Sequence, residues 1–176
     1  MSARQVGLSV TVGAADSVAF AEFGAFLEPP AAVGDRATFS EWLEPVPGRA
    51  LCCHMNRVAP VGPSLTIDRV ERHPHASQVF VPVGVSRYLV LVMPSSETGA
   101  PDHDRARAFV VPGNTGVAYR PGTWHAGISV LDEEGSFFVA MWRGGEDDDV
   151  FVSIPPIEVE FPEAGSAGHP QGEELG

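Results

Sequence analysis

The chain has 176 residues, 44% of them hydrophobic and 19% charged, with a formal net charge of -12. That length suits one domain with a sizeable core, and the acid excess disfavours nucleic acid and anionic lipid as partners. No apolar run approaches the roughly 18 residues that a membrane-spanning helix needs.

The 19 glycines and 16 prolines suit many strands joined by tight turns. Met1 to Val12 carries one arginine and no long apolar stretch, so no signal peptide is expected. The two cysteines, Cys52 and Cys53, are adjacent and cannot form a spaced disulfide framework. They read as buried small apolar residues, with a metal or redox role as the alternative, and a reducing cytoplasm fits them.

Leu8, Val10 and Val12 alternate as in a first strand. Asp16-Ser17 predicts a capped short helix through Ala19, Phe20 and Phe23, ended by Gly24, with Phe26-Leu27 extended after it. Residues 29–36 read as loop; 37–43 and 50–57 read as strands about the turn Pro45-Val46-Pro47-Gly48. Leu65, Ile67 and Val70 mark the next strand. Gln78 to Val83 is a strand whose Pro82 suggests an edge or a bulge.

Tyr88 to Met93 is continuously apolar, as in a strand covered on both faces. Residues 94–105 read as polar loop with room for one helical turn. Ala106 to Val111, the Tyr119 region, Thr123 to Leu131, Ser136 to Trp142 and Val150 to Ile154 complete about ten short strands near ten-residue spacing. Such spacing predicts an all-β sandwich or barrel with one or two short helices. One domain over residues 1–161 is expected, followed by a disordered acidic tail over 162–176.

Two segments carry most of the chemistry: Glu71-Arg72-His73-Pro74-His75-Ala76-Ser77-Gln78 and Gly116-Val117-Ala118-Tyr119-Arg120-Pro121-Gly122-Thr123-Trp124-His125. Residues two apart on a strand share a face, so His73 and His75 should point together. Gln78 could join them after a kink at Pro74, and His125 begins a new strand. Imidazole nitrogen and amide oxygen can both bind a divalent first-row metal, so His73, His75, Gln78 and His125 are the candidate ligands.

Glu71 is a candidate base or ligand orienter, and otherwise an exposed carboxylate. Tyr119 could donate to a ligand oxygen. Arg143 in Arg143-Gly144-Gly145, or Arg72, could hold a substrate carboxylate. Trp124 reads as core and Glu146-Asp147-Asp148-Asp149 as a solvated turn. His54 could face either way; nothing is expected of His103 or His169.

His-x-His-x-x-Gln followed by Gly-x-x-x-x-Pro-Gly-x-x-His is similar to the two-part pattern of a cupin barrel (a double-stranded β-helix or jelly roll), where strands aim side chains at one metal or small polar ligand. More specifically, the chain resembles the ureidoglycolate lyase family. The matching pieces are Ala19 to Gly24, Asn56-Arg57, Glu71 to Pro74, Gln78 to Pro82, Tyr88 to Val92, Pro101-Asp102, Arg107 to Phe109, Gly116 to Tyr119, Trp124-His125 and Arg143 to Gly145.

The resemblance implies a cytoplasmic cupin-type enzyme of purine and allantoin catabolism, usually a homodimer, that splits ureidoglycolate into glyoxylate and urea. It implies a divalent metal for some members, with nickel, manganese, zinc and iron as candidates, and no organic cofactor. Glu71, Arg72, His73, Gln78, Tyr119, His125 and Arg143 stand at family positions. Ala118, Ala126 and Trp142 stand where the family usually carries Asn, His and Asp. Trp142 is therefore expected to narrow the pocket or wall it with an aromatic ring. Two other readings stay open: a different cupin enzyme acting on another small carboxylate or keto acid, and a non-catalytic ligand-binding barrel.

Overall fold

Seven strands are ordered β10-β6-β7-β1-β12-β4-β9, and the first-to-last pairing of β6 with β9 closes six of them into a barrel. They are β1 (Leu8–Ala14), β4 (Leu65–Arg72), β6 (Arg87–Met93), β7 (Arg107–Pro112), β9 (Trp124–His125), β10 (Ser129–Val130) and β12 (Val150–Glu160). A second sheet runs β2-β8-β5-β11-β3. Its strands are β2 (Gly24–Leu27), β3 (Ala50–Val58), β5 (Gln78–Val83), β8 (Gly116–Tyr119) and β11 (Gly135–Arg143). This is the all-β, cupin-type architecture expected from the sequence. The computed structural model describes residues 8–161; the expected tail over 162–176 lies outside them.

The apolar run of β6 explains how the layers join. Leu89, Leu91 and Met93 pack with Val12, Ile67, Trp124 and Ile157 in one cluster. The alternate residues Tyr88, Val90 and Val92 pack with Phe20, Phe137 and Val139 in the other. A strand buried on both faces is therefore the wall between two cores, at roughly 1.5–3 kcal/mol for each large apolar side chain removed from water. Tyr88 resolves its own polar atom by donating from its hydroxyl to the Thr115 carbonyl at 2.8 Å.

The short helix α1 (Ser17–Phe20) is capped by Asp16, which accepts from the backbone N–H groups of Val18 and Ala19. It stops before Phe23, earlier than the apolar spacing suggested. On β12, the pairing with β4 shifts between Ser153 and Ile157. Pro155 and Pro156 lie in that irregularity, where a missing N–H breaks no ladder bond.

Three expectations change. Residues 40–43 form a 3-10 turn and no strand. Phe39, Trp42 and Leu43 instead use i, i+3 and i+4 spacing to cover Val79 and Ala118 on the outside of the second sheet. Residues 123–131 are two two-residue strands broken at Ala126-Gly127-Ile128. Cys52 is only half-buried and Cys53 is exposed, both as free thiols, because β3 is an edge strand with little over its outer face. No helix among the described residues is long and apolar enough to cross a membrane.

Candidate metal centre

Glu71 and His125 are directly opposed on β4 and β9. The turn before β9 brings the histidine there. Gly122 sits at φ 80°, a conformation that favours glycine, and its N–H donates to the His73 carbonyl at 2.8 Å. This turn thus ties the two histidine-bearing segments together, and the His73 and His125 ring centroids lie 5.3 Å apart.

Each ring is oriented by a backbone carbonyl. His125 Nδ1 lies 3.0 Å from the Thr123 carbonyl, and His73 Nδ1 lies 3.1 Å from the Asp148 carbonyl. A carbonyl can only accept, so both Nδ1 atoms carry the proton and both Nε2 atoms keep a free lone pair. Both Nε2 atoms are buried and have no hydrogen-bond partner. Glu71 Oε1 lies 3.4 Å from His125 Nε2. One donor atom from each of Glu71, His73 and His125 falls within 4.8 Å of the other two. Two imidazoles fixed by carbonyls plus one carboxylate make a donor set suited to a divalent first-row cation with open coordination positions.

The Arg143-Gly144-Gly145 segment supplies the opposite wall. Gly144, at φ 143°, lets its own N–H and that of Gly145 converge on Asp148 Oδ2, at 2.6 and 2.9 Å. Arg49 Nε adds a third bond to Asp148 Oδ1 at 2.6 Å. With its side chain anchored this way, Asp148 presents its carbonyl to His73. The next residue, Asp149, pairs with Arg143 and lies 2.9 Å from His73 Nδ1.

Between these walls is a cavity of about 480 Å³, whose lining includes His54, Asn56, Glu71, His73, Gln78, Arg143 and Asp149. Gln78 Oε1 and Asp149 Oδ1 are also buried without hydrogen-bond partners. Tyr119 packs its ring flat on His125, 4.1 Å between centroids and 12° from parallel. Its buried hydroxyl has no partner either.

The electrostatics keep the donors in binding form. Burial lowers the His73 pKa below 6.5 and favours the neutral ring. Burial pushes the Glu71 carboxyl up, but the adjacent imidazoles and Arg143 outweigh it, and the net shift is downward. Burial holds the Tyr119 hydroxyl well above its ordinary range, so it keeps its proton.

Among the sequence candidates, Glu71, His73, Gln78 and Arg143 line one cavity, His125 lies against Glu71, and Tyr119 stacks behind His125. Two candidates lie elsewhere. His75 is substantially exposed and pairs with Asp147 at 2.6 Å, away from the histidine pair. The strand ends at Arg72, so alternation no longer relates His73 to His75. Arg72 alternates away from Glu71 and His73; its guanidinium stacks over Trp124 at 4.6 Å and donates to the Gly99 carbonyl.

The acidic run, expected as a solvated turn, instead supplies Asp148 and Asp149. His54 and Asn56 also line the cavity; their two-residue spacing, with Asn56 in a segment that matches the family, is the sequence signal for them.

The departures from the family pattern share a property. Trp142 faces away from the cavity, donating to the Leu43 carbonyl at 3.0 Å, and so does not narrow the pocket. Ala118 packs with Leu27 and Val79, and Ala126 packs in the Trp124 cluster. None of the three positions lines the cavity.

A closed barrel holding two carbonyl-oriented histidines and a carboxylate beside an arginine is the architecture of a cupin-type barrel with a candidate metal site. Comparison with known proteins narrows the class: residues 9–160 match the family described as ureidoglycolate lyase, and the chain belongs to that family. It is 40% identical over 101 residues to a ureidoglycolate lyase of Chelativorans sp. (strain BNC1), covering 56% of this chain and 59% of that one. It is 42% identical over 90 residues to a ureidoglycolate lyase of Burkholderia cepacia, covering 51% and 49%. A ureidoglycolate lyase of Schizosaccharomyces pombe (strain 972 / ATCC 24843) is 37% identical over 100 residues, covering 53% and 52%. The matched stretches thus span about half the length of these relatives.

Proposed function

We propose that this protein cleaves ureidoglycolate, or a ureido acid of the same pattern, to glyoxylate and urea. The observation that supports this most is the set of unsatisfied buried atoms around the cavity: two Nε2 lone pairs, Gln78 Oε1 and Asp149 Oδ1, beside the Arg143 guanidinium. Buried polar atoms without partners favour a ligand that satisfies them. Ureidoglycolate has a carboxylate for Arg143, ureido N–H groups for the two oxygen acceptors and a hydroxyl for the cation-binding corner.

Glu71, His73 and His125 would hold a divalent cation, and Gln78 would lie beside it. Such a cation, when bound, supplies positive charge that lowers the pKa of a nearby hydroxyl. Arg143 fixes the carboxylate. Glu71, whose carboxyl pKa is shifted downward and so is ionised at neutral pH, accepts the hydroxyl proton on the oxygen it does not give to the cation. The O–H electron pair forms the glyoxylate carbonyl, the C–N bond breaks, and its pair goes to nitrogen. Nitrogen then takes one proton to complete urea. Tyr119, which retains its hydroxyl proton, is the donor of that type nearest His125.

Assembly as a homodimer belongs to the same reading. It is supported by the family resemblance and by exposed Leu51, Met55, Val81, Val83 and Phe138 on the second sheet. A cytoplasmic location is supported by the two free thiols.

The test is an assay of protein loaded separately with nickel, manganese, zinc or iron. Glyoxylate and urea should form in equal amounts from ureidoglycolate with at least one of these metals. Release of ammonia in place of urea, or no product with any of them, would overturn the proposal.

A further inference from the structure

We infer that Asp149 is a specificity-determining residue, selecting ligands that carry an N–H group beside their carboxylate over simple carboxylates. The inference deepens the ureido-acid reading above and rests on it. Asp149 follows directly on Asp148, whose carboxylate is anchored by two backbone N–H groups and Arg49, so its position is set by the loop.

Its two oxygens have different circumstances. Oδ2 accepts from Arg143 Nη2. Oδ1 lies 2.9 Å from His73 Nδ1, but that nitrogen's proton is directed to the Asp148 carbonyl, and Oδ1 is buried without a hydrogen-bond donor. Both Asp149 and Arg143 line the cavity.

An isolated guanidinium on such a wall would attract any small carboxylate. Paired with Asp149 it carries no net charge, and an incoming anion meets the aspartate's negative field along with the arginine's positive one. A simple carboxylate therefore gains little. A ligand that brings a carboxylate to Arg143 and an N–H to Asp149 Oδ1 satisfies both groups, and that N–H bond is to a charged acceptor. The discrimination rests on leaving a buried carboxylate oxygen unsatisfied when the N–H is missing, the form of selectivity that yields large ratios.

The test uses two unreactive probes: N-carbamoylglycine, which has the carboxylate and ureido group without the hydroxyl, and acetate, which has the carboxylate and no hydrogen-bond donor. Dissociation constants are measured by titration calorimetry for wild type and Asp149→Asn. Wild type should bind N-carbamoylglycine about tenfold or more tighter than acetate, the ratio set by one hydrogen bond to a charged group. Asp149→Asn should bind acetate more tightly than wild type does and N-carbamoylglycine more weakly, moving the two constants in opposite directions.

A merely structural role would move both constants the same way, and that result overturns the inference. So would a wild type without preference between the probes, or one that binds neither. Because no turnover is measured, a wild type that prefers the ureido probe yet releases no urea from ureidoglycolate refutes the lyase reading alone.

Discussion

Asp148→Ala should damage stability and metal affinity together, because one side chain anchors the loop that orients His73. The carboxylate accepts from Gly144 N at 2.6 Å, Gly145 N at 2.9 Å and Arg49 Nε at 2.6 Å. A hydrogen bond to a charged group contributes roughly 1.5–3 kcal/mol when measured singly. The three share one carboxylate and do not add, and Arg49 keeps its contact with Asp147. The expected loss is therefore about 3 kcal/mol, which for a chain of this size lowers Tm by about 6–12 °C.

The effect has a defined pH dependence. Burial raises the Asp148 pKa, but the bonds from Gly144, Arg49 and Gly145 outweigh it and bring the value from 3.8 down to about 2. A depressed carboxylate pKa contributes stability that is complete above the unfolded value and is lost as pH falls through the folded one. The difference between wild type and variant should be full at neutral pH and shrink from pH 3.8 towards about 2. Freed from its carbonyl partner, His73 should also bind a divalent cation about 10–100-fold more weakly. Calorimetric melting across pH and metal titration measure both effects. A variant melting within about 2 °C of wild type at neutral pH, against the expected shift, would refute the reasoning.

The histidines give a contrasting pair of expectations. His125→Ala should reduce urea release from ureidoglycolate to the limit of detection, whereas a wild-type rate would remove that ring from the chemistry. His75→Ala should leave metal content and KM unchanged, since its ring pairs with Asp147 outside the cavity; loss of metal, checked by elemental analysis, would restore it as a ligand. Trp142→Phe should lower Tm slightly through its lost bond to the Leu43 carbonyl while kcat/KM stays within about threefold, a change below 1 kcal/mol in transition-state binding.

The parts of the fold and site legible in sequence were those governed by local alternation. Tyr88 to Met93 announced a strand between two cores, and Leu8, Val10 and Val12 announced the first strand. Where alternation ended, so did the legibility. His75 follows the last strand residue and a proline, so its two-residue spacing from His73 had no geometric meaning. Residues 37–43 are rich in residues that strands favour, yet Phe39 and Trp42 are spaced for a turn that lies across a sheet. Asp148 and Asp149 read as solvated because their partners, Arg49 and His73, lie some 75 to 100 residues away in the chain. The Ala118, Ala126 and Trp142 departures looked like changes to a pocket only because sequence order does not reveal which face a side chain takes.

The central claim is that His73 Nε2, His125 Nε2 and the Glu71 carboxylate converge on one catalytic cation. Anomalous diffraction at the absorption edge of the activating metal tests it most directly. A single peak bonded to those three residues is expected. A peak bonded to other residues, or full activity in crystals and solution from which metal has been removed, would contradict it.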